Sequence, residues 1–203
     1  MTSRVHSVET LIVWIRRELR VRDHLALFSA VQDAKNVVPV FIIDEEFTRS
    51  SPAKKSVVLD GLKDLRSSFR NLGGELFIRV GNAKVILHNL IQETNAGGVY
   101  LTKEYQPKLR LRDRDLQSSI ESIGKVWKEF KDHVLFEEQE IVTSSHSTPF
   151  LVFTPYKRAW KELERNIAPI LPKAKRIATP HIASGKIPIY PLVVKESDNR
   201  ILV

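Results

Sequence analysis

The sequence predicts a doubly wound α/β domain: a Rossmann-like parallel five-stranded sheet with helices on both faces, followed by an extended C-terminal tail. Three observations predict it. Short apolar runs rich in β-branched residues recur along the chain. Each is followed by a segment whose apolar residues step by three and four, the helical spacing. The runs are continuously apolar and do not alternate, as expected of parallel strands covered on both faces.

Taken in order, Leu11 to Ile15 is the first strand, and a helix capped by Asp23 follows it, burying Leu27, Ala30 and Val31. Val37 to Ile43 is the second strand. After a polar loop with Ser50, Ser51 and Pro52, the residues Val58, Leu62, Leu65, Phe69 and Leu72 form one helical stripe, which Gly73 and Gly74 end. Leu76 to Val80 pairs with a helix carrying Ile86, Leu87, Leu90 and Ile91. Gly98 to Thr102 pairs with one carrying Leu109, Leu116, Ile120 and Ile123, and Val126 to Phe130 begins a fifth unit. Thr154 and Pro155 predict a further helix start, with Tyr156, Trp160, Leu163 and Ile167 on its apolar face. Beyond Pro169, the prolines at 172, 180, 188 and 191 favour extended linker over core. The expected organisation is a domain over residues 1–170 and a linker or tail over 171–203.

Composition narrows the function. With 203 residues, 42% of them hydrophobic, the chain can bury one sizeable core and not two large ones. It has no run of about 18 apolar residues and no apolar leader after MTSRVHSVET, so a cytoplasmic location and no membrane are expected. The absence of cysteine excludes disulfides and thiolate chemistry, and six scattered histidines offer no metal-ligand spacing. The net charge of +8 favours encounters with polyanions, but the basic residues spread over every segment, equally the pattern of a solvated surface.

In an open parallel sheet, ligands bind outside the carboxyl ends of the strands. That rule nominates Trp14, Arg16 and Arg17 after the first strand, Phe41 and Asp44 after the second, and Glu104 and Tyr105 after the fourth. The aromatics offer stacking surfaces beside charges that orient a ligand. The competing reading makes Trp14 and Phe41 ordinary core residues and pairs Arg16 or Arg17 with Asp23 or Asp44. It leaves Asp113, beside Arg110 and Arg112, in surface ion pairs worth little. No glycine-rich phosphate loop and no nucleophile elbow appear, and no catalytic constellation stands out.

Five collinear segments resemble the photolyase/cryptochrome family: WIRRELRVRDHLAL, VVPVFIID, LKDLRSSFRNLGGELFIRVG, YQPKLRLRDRD and PFLVFTPYKRAW. They span about residues 10 to 165. The opening segment departs from the family's usual Asp-Asn by having Asp23-His24. The resemblance implies an N-terminal domain that holds a light-harvesting antenna chromophore: a deazaflavin, a folate or another flavin. Lys103-Glu104 stands where folate-binding members often carry an Asn-Glu pair, which argues against folate. Lys54 and Lys55 are candidates for an anionic chromophore tail. FAD, the flavin that does the family's chemistry, would enter only through a C-terminal helical domain absent from this sequence. That domain would be the partner, in cis or in trans, and damaged DNA would be bound through the complete protein. The chain alone is not expected to repair DNA. The alternatives are a cryptochrome photoreceptor domain, a chromophore-free module that docks a protein or DNA, and a small nucleotide-binding protein on the same sheet.

Overall fold

The computed structural model describes residues 8–137, 139–143, 148–164, 170–172 and 174–189. Its centre is a five-stranded, all-parallel sheet of order β3-β2-β1-β4-β5. The strands are β1 (Val8–Ile15), β2 (Ala34–Ile43), β3 (Phe77–Val80), β4 (Gly98–Thr102) and β5 (Val126–Phe130). Between them run α1 (Leu25–Asp33), α2 (Glu45–Thr48), α3 (Pro52–Asn71), α4 (Ala83–Thr94) and α5 (Pro107–Glu121), and α6 (Phe153–Glu164) follows.

Because side chains alternate across a strand, β1 serves two cores. Leu11, Val13 and Ile15 pack with α1 and α3, whereas Ile12 and Trp14 pack with α4 and α5. On α3 the inward stripe is Leu59, Leu62, Leu65 and Phe69, with Val58 half-buried beside it. Its cap is Ser51, whose hydroxyl accepts from the Lys54 amide at 3.2 Å, and Gly73 turns the chain away at φ +82°. Helices cover both faces, as the uninterrupted apolar runs require.

Several local expectations change. Asp23 does not cap α1: it sits at φ +48°, and its carboxylate accepts from the Leu171 amide at 3.2 Å. His24 takes the cap, its Nδ1 accepting from the Leu27 amide at 3.3 Å. Val31 is half-buried, and Ile123, past the end of α5, is 47% exposed. α6 begins one residue before Thr154, and none of its residues is buried. The Trp160 ring meets that of Phe136 edge-on, and the Tyr156 ring meets that of Phe150. Ile167 lies outside the described residues.

The stretch beyond residue 170 has no helix or strand among its described residues, yet it is not all linker. Ile177 is 1% exposed, and its amide donates to the Leu72 carbonyl at 2.9 Å. Val37 donates to the Ala178 carbonyl at 2.8 Å, and Ile78 to that of Ser184 at 2.7 Å. Arg66 adds bonds to the carbonyls of Ser184 and Gly185. This strap covers the free edge of β3, which would otherwise expose unpaired backbone groups. Prolines suit such an edge segment, because its carbonyls accept the bonds.

Candidate functional site

The strand order places the crossover reversal between β1 and β4. From β1 the chain moves outward through β2 to β3, then returns across β1 to β4 and β5. The loops at the carboxyl ends of β1 and β4 therefore diverge, leaving a crevice. A cavity of about 230 Å³ lies there. Trp14, Phe41, Phe47 and Leu109 give it apolar walls, and Arg16, Arg17, Asp44, Glu104 and Arg112 give it charge. It continues into a second cavity of about 750 Å³ beside the ends of β2 and β3, with Asp44, Glu46, Lys54, Leu109 and Arg112 lining both.

Asp113 organises the charge. It is 2% exposed, and Arg16 Nη1 bonds its Oδ2 at 2.6 Å. Arg112 bonds its Oδ1 through Nε at 3.1 Å and Nη2 at 3.0 Å. Arg16 Nη2 also donates to the Thr102 carbonyl, tying the end of β1 to that of β4. Both guanidinium carbons lie 4.9 Å from the centroid of the Trp14 ring, a distance at which a cation is attracted to the indole. The edge of Trp14 meets Trp127 at 6.5 Å between centroids. The remaining Arg112 nitrogen, Nη1, reaches Asp44 at 3.5 Å and Glu46 at 3.8 Å.

Arg17 pairs with Glu104 at 3.1 Å, and the Glu104 carboxylate also accepts from the Tyr105 and Gln106 amides. Beneath this loop Glu18 and His24 are both buried, Glu18 Oε1 lying 3.9 Å from His24 Nε2. Burial pushes the His24 imidazole below its ordinary value despite the neighbouring Glu18 and Asp132. Burial also pushes the Glu18 carboxyl upward. Attraction to His24 first, and to Arg16, outweighs it, so the carboxyl stays below the usual range.

Six of the seven nominated residues line the first cavity: Trp14, Arg16, Arg17, Phe41, Asp44 and Glu104. Tyr105 does not. Its hydroxyl donates to Glu137 at 3.1 Å, and its ring lies 5.7 Å from the Lys103 ammonium, on the side of the loop toward the segment after β5. Burial and that bond push its phenol well above the ordinary value. Lys54 lines both cavities, whereas Lys55 lines neither. Arg16 and Arg17 pair with Asp113 and Glu104, not with Asp23 or Asp44. Asp113 is the chief correction, a buried carboxylate in place of a surface one. The signal was present, since Leu109, Asp113, Leu116 and Ile120 fall on one helical stripe. Arg112, Phe47 and Leu109 are lining residues that the strand-end rule missed because they come from helices.

An apolar slot beside paired guanidiniums, at the switch point of a parallel sheet, is where open α/β folds place their ligand crevices. The DNA photolyase profile matches residues 11–176, and the chain belongs to the photolyase/cryptochrome family as an N-terminal domain. A deoxyribodipyrimidine photo-lyase of Agrobacterium fabrum is 33% identical over 162 residues, covering 80% of this chain and 33% of that protein. The crystal structure of a bacterial class III photolyase from Agrobacterium tumefaciens superposes with a TM-score of 0.77 at 28% identity, over 91% of this chain and 38% of its own. An archaeal photolyase from Sulfolobus tokodaii shares the fold at TM-score 0.65 and 19% identity, over 84% of this chain and 38% of its own. That structure is described as holding two FAD molecules, with the implication of a novel light-harvesting cofactor. The chain thus spans about a third of the length of the curated relatives it matches. Among the described residues, no helix is long and apolar enough to cross a membrane, and no cluster of His, Asp and Glu has metal-binding geometry.

Proposed function

We propose that the crevice between β1 and β4 binds a light-harvesting chromophore for a photolyase-type protein. Trp14 is the floor on which the guanidiniums of Arg16 and Arg112 lie, those two arginines orient the ligand, and Phe41, Phe47 and Leu109 exclude water. The observation that carries this reading is the pair of guanidiniums held by Asp113 over the Trp14 ring at the switch point. Taking two arginines partly out of water against one aromatic has a desolvation cost, which the polar groups of a ligand would help to offset. The family resemblance and the light-harvesting cofactor implied for the Sulfolobus neighbour point the same way. Tyr105, as the geometry stands, belongs to the loop support and not to the slot.

In this role the chain absorbs light and passes excitation to a flavin. The flavin's electron chemistry and the contact with damaged DNA belong to a helical FAD domain, joined in cis or docked in trans. The crevice arginines are matched by Asp113, Glu104, Asp44 and Glu46, which weakens the case for general polyanion docking on this face.

The test is reconstitution of purified chain with methenyltetrahydrofolate, flavin mononucleotide, FAD and a deazaflavin, followed by gel filtration and absorption spectra. A band beyond the protein's own absorption should co-elute with the protein. Replacing Trp14 by Phe keeps the core filled but shrinks the floor under the two guanidiniums, and should weaken binding roughly 2- to 10-fold. No retained band with any of the four would remove the antenna role and leave the fold untouched.

A further inference from the structure

The two edges of the sheet are protected by different means. β5 protects itself: Lys128 and Glu129 stand exposed in the middle of the strand, and charges on an edge discourage another strand from pairing with it. β3 is the sequence Phe77-Ile78-Arg79-Val80. Phe77 and Ile78 are buried and Val80 is 67% exposed. The charge of Arg79 is matched by Glu93 at 3.7 Å, and its Nη1 donates to the Ile78 carbonyl at 3.1 Å. An edge this apolar, with its one cation neutralised, is open to a further strand.

The strap holds that place by few bonds. Among the described residues it gives β3 a single backbone hydrogen bond, from the Ile78 amide to the Ser184 carbonyl at 2.7 Å. Gly185 follows, lying on the Ile78 carbonyl at φ +75°, where a Cβ would collide with that oxygen. Glycine alone suits both the close approach and the left-handed backbone. Arg66, on α3, clamps the pair: its Nη2 donates to the carbonyls of Leu76, Ser184 and Gly185 at 3.0, 3.2 and 2.9 Å. Glu75 fixes its Nε at 3.0 Å. One guanidinium thus joins helix, edge strand and strap.

We propose that the strap is a releasable latch, and that the β3 edge beneath it pairs with the β3 edge of a second copy of this chain when the latch opens. The edge is self-complementary. Across a two-fold axis the two strands run antiparallel, and Ile78, whose amide and carbonyl both face outward, exchanges two hydrogen bonds with its equivalent. With Arg79 neutralised by Glu93, like charges do not oppose the approach.

The experiment compares the unaltered chain with G185A, R66Q and the double variant G185A/V80K. Trypsin cleavage after Lys186 reads the latch, and light scattering after gel filtration reads the mass over a concentration series. G185A sets a methyl group against the Ile78 carbonyl at a strained φ, so cleavage should speed up by about tenfold or more. Its mass should climb with concentration to about twice that of the unaltered chain. R66Q removes the clamp and leaves Gly185 in place. It should act in the same direction, and it carries the test if circular dichroism shows G185A unfolded. V80K should return G185A to the mass of the unaltered chain while cleavage stays fast, because a charge on the edge blocks pairing and not release. Unchanged cleavage in both single variants overturns the latch. Fast cleavage with no rise in mass, or a rise that V80K does not reverse, overturns the β3 edge as the surface for a second copy.

Discussion

Replacing Asp113 by Asn keeps the shape of the side chain and removes its charge. The carboxylate is 2% exposed and holds two guanidiniums through contacts of 2.6, 3.0 and 3.1 Å. The Arg16 side chain, 11% exposed, would be left with the Thr102 carbonyl as its main acceptor, whereas Arg112, 27% exposed, can turn toward Asp44 and water. Breaking a buried pair from one side costs about 3–5 kcal/mol. Because one of the two arginines can escape, the lower end applies, about 3 kcal/mol. For a domain of this size that is a fall in Tm of about 6–12 °C, at roughly 2–4 °C per kcal/mol. Urea and thermal melts followed by far-ultraviolet circular dichroism measure it. The loss should persist in high salt, since a buried pair is poorly screened. Replacing Arg16 by Gln in the same chain should recover part of it, because the stranded charge is then gone. A D113N loss within about 0.5 kcal/mol, the range of ordinary surface changes, would refute the organising role given to Asp113.

Two further outcomes follow from the buried groups. Burial lowers the His24 imidazole in the fold, with Glu18 and Asp132 opposing the shift and Arg20 adding to it. The unfolded chain takes up its proton below about pH 6.5, so stability present above that value is lost as pH falls through the lower folded value. The depression of Glu18 acts only below its ordinary 4.5, leaving the window from pH 7.5 to 5.5 to His24. H24N keeps a capping acceptor and should flatten the fall in urea midpoint over that window, and parallel profiles for the two proteins would contradict the assignment. Ile177, 1% exposed, anchors the strap through Leu72, so I177A should cost about 2–4 kcal/mol. A surface-like effect there would return the stretch to linker.

How much was legible in the sequence follows from range. The five strands and the helices α1, α3, α4 and α5 could be read because their signals are local: apolar runs, three-and-four spacing, and Ser51, Gly73 and the prolines at their ends. Six of the seven nominated residues reached the crevice because the residues following a parallel strand lie at its carboxyl end. Whether Tyr105 turned inward was not local. It depended on Glu137, 32 residues away, offering its hydroxyl a partner.

The sequence by itself determined the sheet, its covered faces and which residues stand at the carboxyl ends of its strands, because period and punctuation act over a few residues. Only the tertiary structure decided that Asp113 is buried between Arg16 and Arg112, that Asp23 holds the strap while His24 caps α1, and that Ile177 belongs to the core. Each of those depends on a partner brought close by the fold from a distant part of the chain, and charge pairing and burial are set by that neighbour rather than by adjacent residues.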